Sequence, residues 1–453
     1  MLAVWRRDAA DCVICAPSAN GRASAARVEP VGGRELDASA LDGPMILWVA
    51  GVLAMYMAWA IGANDVANAM GTSVGSGAIT IAQAVVIAGI FEFAGAYFVG
   101  AHVTDTVRKG ILDVSLISDQ ELVFGMLSSL AAAATLLLIA TSYGLPVSTT
   151  HAIVGAIVGF GAVAIDFDVV SWDRVMLIVA SWVTSPLMGG VVAYLTFQYI
   201  RRSILDRSDP MAAAKRRAPI FFFAVTFVIG LVTLFKGLKN LHLDYDLQGA
   251  VIRAAGLGVI GAVAGWIFVN RVKRAADKDH SSRYYNVERV FGVLVVLTAC
   301  AVAFAHGSND VANAIGPLAT VFQVVREGTV GAQAPVEPWM LIAGGVGIVV
   351  GLATMGYRVM DTVGRNITEL TPSRGFAATF ASAVTIVIAS RAGIPVSTTH
   401  ILVGSVLGVG MARGIAALDL RVVGRIFVSW IATLPVAAAL SVFFYYLFKR
   451  LLT

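Results

Sequence analysis

Gly-Ala-Asn-Asp-Val-Ala-Asn-Ala, residues 62–69, comes back as Gly-Ser-Asn-Asp-Val-Ala-Asn-Ala at residues 307–314. Each copy closes a long apolar run, so carboxylates and carboxamides arrive in matched sets where a membrane segment should carry hydrocarbon. Polar groups at that depth are costly and mark an ion or substrate path by default. A single copy would read as the capping of a broken helix. Two copies favour one site between two related repeats, as in secondary transporters. The expected fold is therefore an all-α polytopic membrane protein with two homologous repeats and broken or re-entrant helices.

Composition agrees with a bilayer. The chain is 58% hydrophobic and 13% charged, against about 45–50% and about 25% for a soluble domain. Long apolar windows fall near 45–62, 82–101, 121–141, 171–200, 218–236, 249–269, 290–306, 339–357, 375–393 and 421–448. Most approach the roughly 20 residues a spanning helix needs. The net charge of +5 does not point to nucleic acid, because much of the basic charge sits in the loops 201–217 and 270–289. Both loops should be cytoplasmic by the positive-inside rule. Cys12 and Cys15 form a lone C-x-x-C, too little for a zinc site, and Cys300 reads as a packing residue. Residues 1–44 are mixed and arginine-rich, with no signal-peptide stretch. They read as a disordered N-terminal tail or as sequence ahead of a start at Met45.

The repeat extends beyond the opening motif. Asn64, Asp65 and Asn68 recur as Asn309, Asp310 and Asn313 at an offset of 309 − 64 = 245. Asp105-Thr106-Val107 recurs as Asp361-Thr362-Val363, offset 361 − 105 = 256, and Pro146 to His151 as Pro395 to His400, offset 400 − 151 = 249. The chain divides accordingly into a tail (1–44), a first repeat (45–200), basic loops with two linking helices (201–289) and a second repeat (290–453). If the segment at 147–165 crosses the membrane the repeats are inverted; if it turns back they are parallel.

On a helix Asn64, Asp65 and Asn68 lie near about 0°, 100° and 40°, on one face. Gly62 and Gly307 just ahead suit an unwound turn that frees carbonyls. Carboxylate, carboxamide and carbonyl oxygens are hard ligands, suited to Na⁺ or another oxygen-seeking cation. Pro-Val-Ser-Thr-Thr-His, at 146–151 and 395–400, reads as a helix start with hydroxyls and unpaired N–H groups. Two such starts facing one another would cradle a tetrahedral oxyanion, and capping of a buried half-helix is the competing role. No Arg or Lys lies within these motifs, so an anion beside Asp65 and Asp310 requires bound cations. Those carboxylates favour monohydrogen phosphate, which keeps a P–OH donor, over sulfate. Glu92, His151 and His400 are candidate proton or cation relays, with packing as the alternative; Lys109 and Arg365 read as interfacial anchors.

These residues resemble the inorganic phosphate transporter (PiT) family. The likeness rests on Gly-Ala-Asn-Asp-Val-Ala-Asn-Ala-Met-Gly-Thr-Ser-Val-Gly-Ser-Gly at 62–77, its partner at 307–314 and both Pro-Val-Ser-Thr-Thr-His motifs. It spans residues 45–448 and implies cation-coupled phosphate symport, inverted repeats, around a dozen helical elements, a homodimer and no cofactor. Carried onto this chain, it gives Na⁺ or H⁺ coordination to Asp65, Asn68, Asp310 and Asn313, with Asn64 and Asn309 beside them. Ser148, Thr149, Thr150, Ser397, Thr398 and Thr399 become phosphate ligands. The long hydrophilic loop typical of animal members is missing, so the chain looks like a compact prokaryotic type. That leaves Na⁺ and H⁺ both open as coupling ions. A multi-pass protein of the cell (inner) membrane is expected, not an enzyme. A sulfate permease on the same scaffold is the near alternative, and an ion channel the distant one.

Overall fold

The computed structural model describes residues 43–108, 111–234, 247–272, 282–328, 336–391 and 396–452. The expected tail with Cys12 and Cys15 falls outside them (1–42), as do Lys109 and Pro395. The described residues form twelve α-helices and no named strand: α1 (Gly43–Gly75), α2 (Ile81–Arg108), α3 (Asp119–Ser142), α4 (Thr149–Gly159), α5 (Trp172–Ile200), α6 (Pro210–Val232), α7 (Leu247–Arg271), α8 (Ser282–Glu327), α9 (Pro338–Asp361), α10 (Pro372–Arg391), α11 (Thr398–Arg413) and α12 (Leu420–Leu452). Among the described residues nine helices are long and apolar enough to cross a membrane. Helix starts carry the expected chemistry. Ser118 and Glu121 form a capping box at α3, and Asp209 caps α6 with Pro210 in its first turn. Large apolar side chains on α5, α7 and α12, such as Leu187, Ile260 and Ile431, face outward. On a soluble protein such a surface would aggregate; here it is the lipid face.

The two repeats interlock. Helix α1 packs on α9 and α8 packs on α2; α4 lies against α12 and α11 against α5. Each of these contacts thus joins an element of one repeat to an element of the other. The two main crossings match residue by residue. A Cβ on Gly62 would overlap the Ile348 carbonyl oxygen, and one on Gly351 the Trp59 carbonyl oxygen. At the second crossing Gly307 meets the Glu92 carbonyl in the same way, and Gly95 that of Phe304. These pairs sit at the sequence offsets, since 307 − 62 = 245 and 351 − 95 = 256.

That geometry corrects one expectation. Helices α1 and α8 run unbroken through both motifs, so Gly62 and Gly307 do not unwind the chain. They let two backbones touch, the usual role of small residues between membrane helices. The broken elements are elsewhere. Helix α4 has 11 residues, rising about 16 Å, roughly half a hydrocarbon core; residues 160–165 extend it as a π-helical turn. It doubles back along α3: Leu112 pairs with Val170 across an antiparallel bridge, and the Phe160 ring covers Gly125. The α10–α11 hairpin closes likewise, with the Asp419 N–H donating to the Ile367 carbonyl at 3.0 Å and the Thr368 hydroxyl to that of Ala417 at 2.8 Å.

Candidate functional site

The long helices α1 and α8 carry their motifs into the interior, where Asn64, Asp65, Asn68, Asp310 and Asn313 are all buried. Local spacing repeats as expected. Asn68 Nδ2 donates to Asp65 Oδ1 at 3.0 Å, and Asn313 Nδ2 to Asp310 Oδ1 at 3.3 Å. The second carboxylate oxygens converge on a residue that the motif comparison passes over. His306 Nε2 lies 2.8 Å from Asp310 Oδ2 and 3.5 Å from Asp65 Oδ2, while its Nδ1 lies 3.3 Å from Glu92 Oε1. The imidazole, buried like its partners, therefore stands among three carboxylates at ion-pair distance. The contacts lie off ideal hydrogen-bond lines, and both Glu92 oxygens and Asn68 Oδ1 accept no hydrogen bond. Among the described residues no Arg or Lys pairs with this cluster. Asp65, His306 and Asp310 can each place one ligand atom within 4.8 Å of the others. A cation is at home among the carboxylate oxygens of Asp65 and Asp310.

A sequence signal for His306 exists in the differences between the repeats. At offset 245 it takes the place of Ile61, and at offset 256 Glu92 takes the place of Ile348. Each pair meets where a glycine opens a crossing. One crossing thus carries two isoleucines, and its counterpart carries a histidine and a glutamate. Comparing identities finds the aspartates; only comparing differences finds this pair.

The Ser-Thr-Thr-His stretches at 148–151 and 397–400 start the buried short helices α4 and α11, and both serines cap them. Ser148 Oγ accepts from the His151 N–H at 3.2 Å, and Ser397 Oγ from the His400 N–H at 3.3 Å. The threonines divide unequally: Thr149 and Thr399 are buried, whereas Thr150 and Thr398 are half-buried. Thr399 ties the motifs together. Its hydroxyl contacts Asp65 Oδ1 at 3.2 Å and accepts from Asn68 Nδ2 at 2.8 Å. A half-helix of the second repeat thereby meets the carboxylate of the first. Asn64 acts on the loop ahead of α4. It donates to Thr141 Oγ1 at 2.9 Å and the Leu145 carbonyl at 3.1 Å, and accepts from the Val147 N–H at 3.1 Å. Its amide holds that loop in place beside the Asp65 group.

His151 and His400 lie away from the carboxylates, in an aromatic column. The rings meet edge-on at 4.6 Å; His151 tilts against Trp182 at 4.6 Å, and His400 stacks on Trp430 at 3.7 Å. Trp430 Nε1 also donates to the Pro146 carbonyl at 3.0 Å, so α12 pins the start of the other repeat's half-helix. Trp430→Phe keeps the stack and removes that bond, a loss of about 1 kcal/mol. The expected result is a small drop in Tm; an unchanged Tm would remove this bond from the ties that hold the half-helix start. Arg365 pairs with Asp361 at 3.1 Å at an exposed helix end, fitting an anchor.

With this geometry in view, comparison with known proteins is decisive. Residues 61–441 match the model of a family described as the phosphate transporter family. The chain belongs to that family. Two similar proteins, each named "Putative phosphate permease", come from Pyrococcus furiosus and Haemophilus influenzae. The first is 47% identical, covering 87% of this chain and 94% of the relative; the second is 45% identical, covering 90% and 98%. A solved structure called "The sodium-dependent phosphate transporter" aligns with a TM-score of 0.81 and 41% identity, over 90% of this chain and all of that one. This phosphate transporter family member is thus an integral, multi-pass membrane protein whose relatives are transporters and permeases rather than enzymes.

Proposed function

We propose that this chain is a secondary active symporter that moves inorganic phosphate across the cell membrane together with Na⁺ or H⁺. The observation that carries the reading is the meeting of Asp65, Asp310, Glu92 and His306 beside Thr399 and the capped start of α11. Three carboxyl groups around one imidazole crowd acidic oxygens into a buried place. Any negative charge there must be neutralised before an anion can enter, which makes cation binding the first step and coupling its consequence. Asp65, Asn68, Asp310 and Asn313 take the cations, while Glu92 and His306 hold or pass a proton. The half-helix starts at Ser148–Thr150 and Ser397–Thr399 take the phosphate, with N–H groups and hydroxyls as donors. The named function of the aligned sodium-dependent transporter favours Na⁺.

Alternating access between inverted repeats completes the proposal. Its support is the return of α4 to the start of α3. The segment 147–165 thus carries the chain back across to the face from which α3 sets out, the crossing case, so if α1, α2, α5, α6 and α7 each cross once, α8 runs opposite to α1. A homodimer, as the family resemblance implies, belongs to the same reading, and cross-linking in native membranes tests it.

The deciding experiment is uptake of radiolabelled phosphate into proteoliposomes under a Na⁺ gradient or a pH gradient at matched membrane potential. Accumulation with Na⁺ alone establishes sodium symport; accumulation with the pH gradient alone moves coupling to the Glu92–His306 pair. Uptake under neither gradient, with labelled sulfate entering instead, would reject the phosphate reading. In the same assay Ser148→Ala should raise the phosphate KM more than Glu92→Gln does. The reverse order would move the anion site away from the half-helix starts.

A further inference from the structure

Away from the carboxylates, helix α7 packs along α6, and a cavity of about 950 Å³ opens between α7 and the first turns of α8. Its wall is apolar, with Phe268 from α7 and Val293, Val296 and Leu297 from α8. At its mouth stand the exposed Arg271 and Arg289, with Tyr285 beside them. All three belong to the basic segment 270–289, on the face that the positive-inside rule places in the cytoplasm. One carboxylate, Glu288, is also present, but it is turned onto α10. It accepts from the Ser373 N–H at 2.7 Å and the Ser373 hydroxyl at 2.8 Å, at a helix N-terminus that favours negative charge.

An amphiphilic cavity with cations at the headgroup level and hydrocarbon below matches one class of ligand. We propose that it holds an anionic phospholipid, its phosphate between Arg271 and Arg289 and its acyl chains along Phe268, Val293 and Leu297. A free phosphate ion has no use for the apolar wall, and a zwitterionic lipid gains less from two arginines. Basic pockets between membrane helices on the cytoplasmic side bind anionic headgroups for this reason. The lipid would join the α6–α7 pair to α8, the helix that carries His306 and Asp310.

The test uses the full chain, equilibrated in vesicles of equal phosphatidylglycerol and phosphatidylcholine, then extracted and read by native mass spectrometry. The expected result is preferential retention of phosphatidylglycerol, on the order of 30-fold for two arginines near the surface. Arg271→Gln with Arg289→Gln should bring the ratio close to one. Leu297→Trp fills the apolar wall, keeps both arginines and should lower phosphatidylglycerol retention. Equal retention of both lipids by the unaltered protein, or an unchanged preference in the double variant, overturns the proposal. So does displacement of the lipid by inorganic phosphate. Cross-linking of two copies through a cysteine placed at Val293 would also overturn it, by showing that a second chain covers this face.

Discussion

Asp65→Asn and Asp310→Asn should each lower gradient-driven phosphate accumulation by about 100-fold while leaving the amount of folded protein unchanged. The size follows from what the carboxylates face. Truncating one partner of a buried charge pair costs the bound partner about 2–5 kcal/mol, and about 1.4 kcal/mol is a factor of ten. Asparagine keeps the shape of aspartate and can still meet Asn68 or Asn313, so the helix crossing survives. What it lacks is the charge that a cation must find beside His306 Nε2, 2.8 Å from Asp310 and 3.5 Å from Asp65. The measurement is initial uptake in proteoliposomes at matched protein content, with thermal melting in detergent as the control for folding. Uptake like that of the unaltered protein in both variants would take the cluster out of the mechanism.

Gly307→Ala should have a large effect on the fold for a minimal change in the chain. The new Cβ would overlap the Glu92 carbonyl oxygen, a backbone atom that cannot rotate away. Overpacking at such a place costs about 3 kcal/mol or more, enough to deplete monodisperse protein and lower its Tm by several degrees. Gly292→Ala on the same helix is the matched control. Its Cβ would meet only Ala78, at an ordinary 3.9 Å, and alanine is a better helix former by about 1 kcal/mol. Gly292→Ala should therefore match or exceed the unaltered protein in Tm. Equal Tm values for the two variants would mean that the α8–α2 crossing is looser than described.

Much of this architecture can be read from sequence because membrane helices have few ways to be built. Long apolar windows become helices, and the duplicated Asn-Asp motif marks the interior. The half-helices follow from Pro-Val-Ser-Thr-Thr-His, where proline and a capping serine start a helix inside an apolar stretch. Gly62 and Gly307 show where such reading stops. The same residue permits unwinding and close approach, and only the neighbouring helix decides which. Thr399 and Trp430 are illegible for a related reason. Each acts on the other repeat, Thr399 at Asp65 and Trp430 at Pro146, and a contact spanning hundreds of residues leaves no local pattern. His306 differs, since its signal is present as a departure from Ile61 and needs no structure to find.

The interlocking of the repeats has a consequence for biosynthesis. When the ribosome has delivered α1, the surface around Gly62 has no partner, because Ile348 lies 348 − 62 = 286 residues further on. Asp65 likewise enters the bilayer long before His306 exists to face it. The first half must therefore wait in the membrane as an open, partly polar assembly until the second half closes over it. Such waiting states are slow to resolve and prone to wrong pairing. A chain cut between α6 and α7 should yield stable protein only when both fragments are made together, and the first fragment alone should be a substrate for membrane quality control.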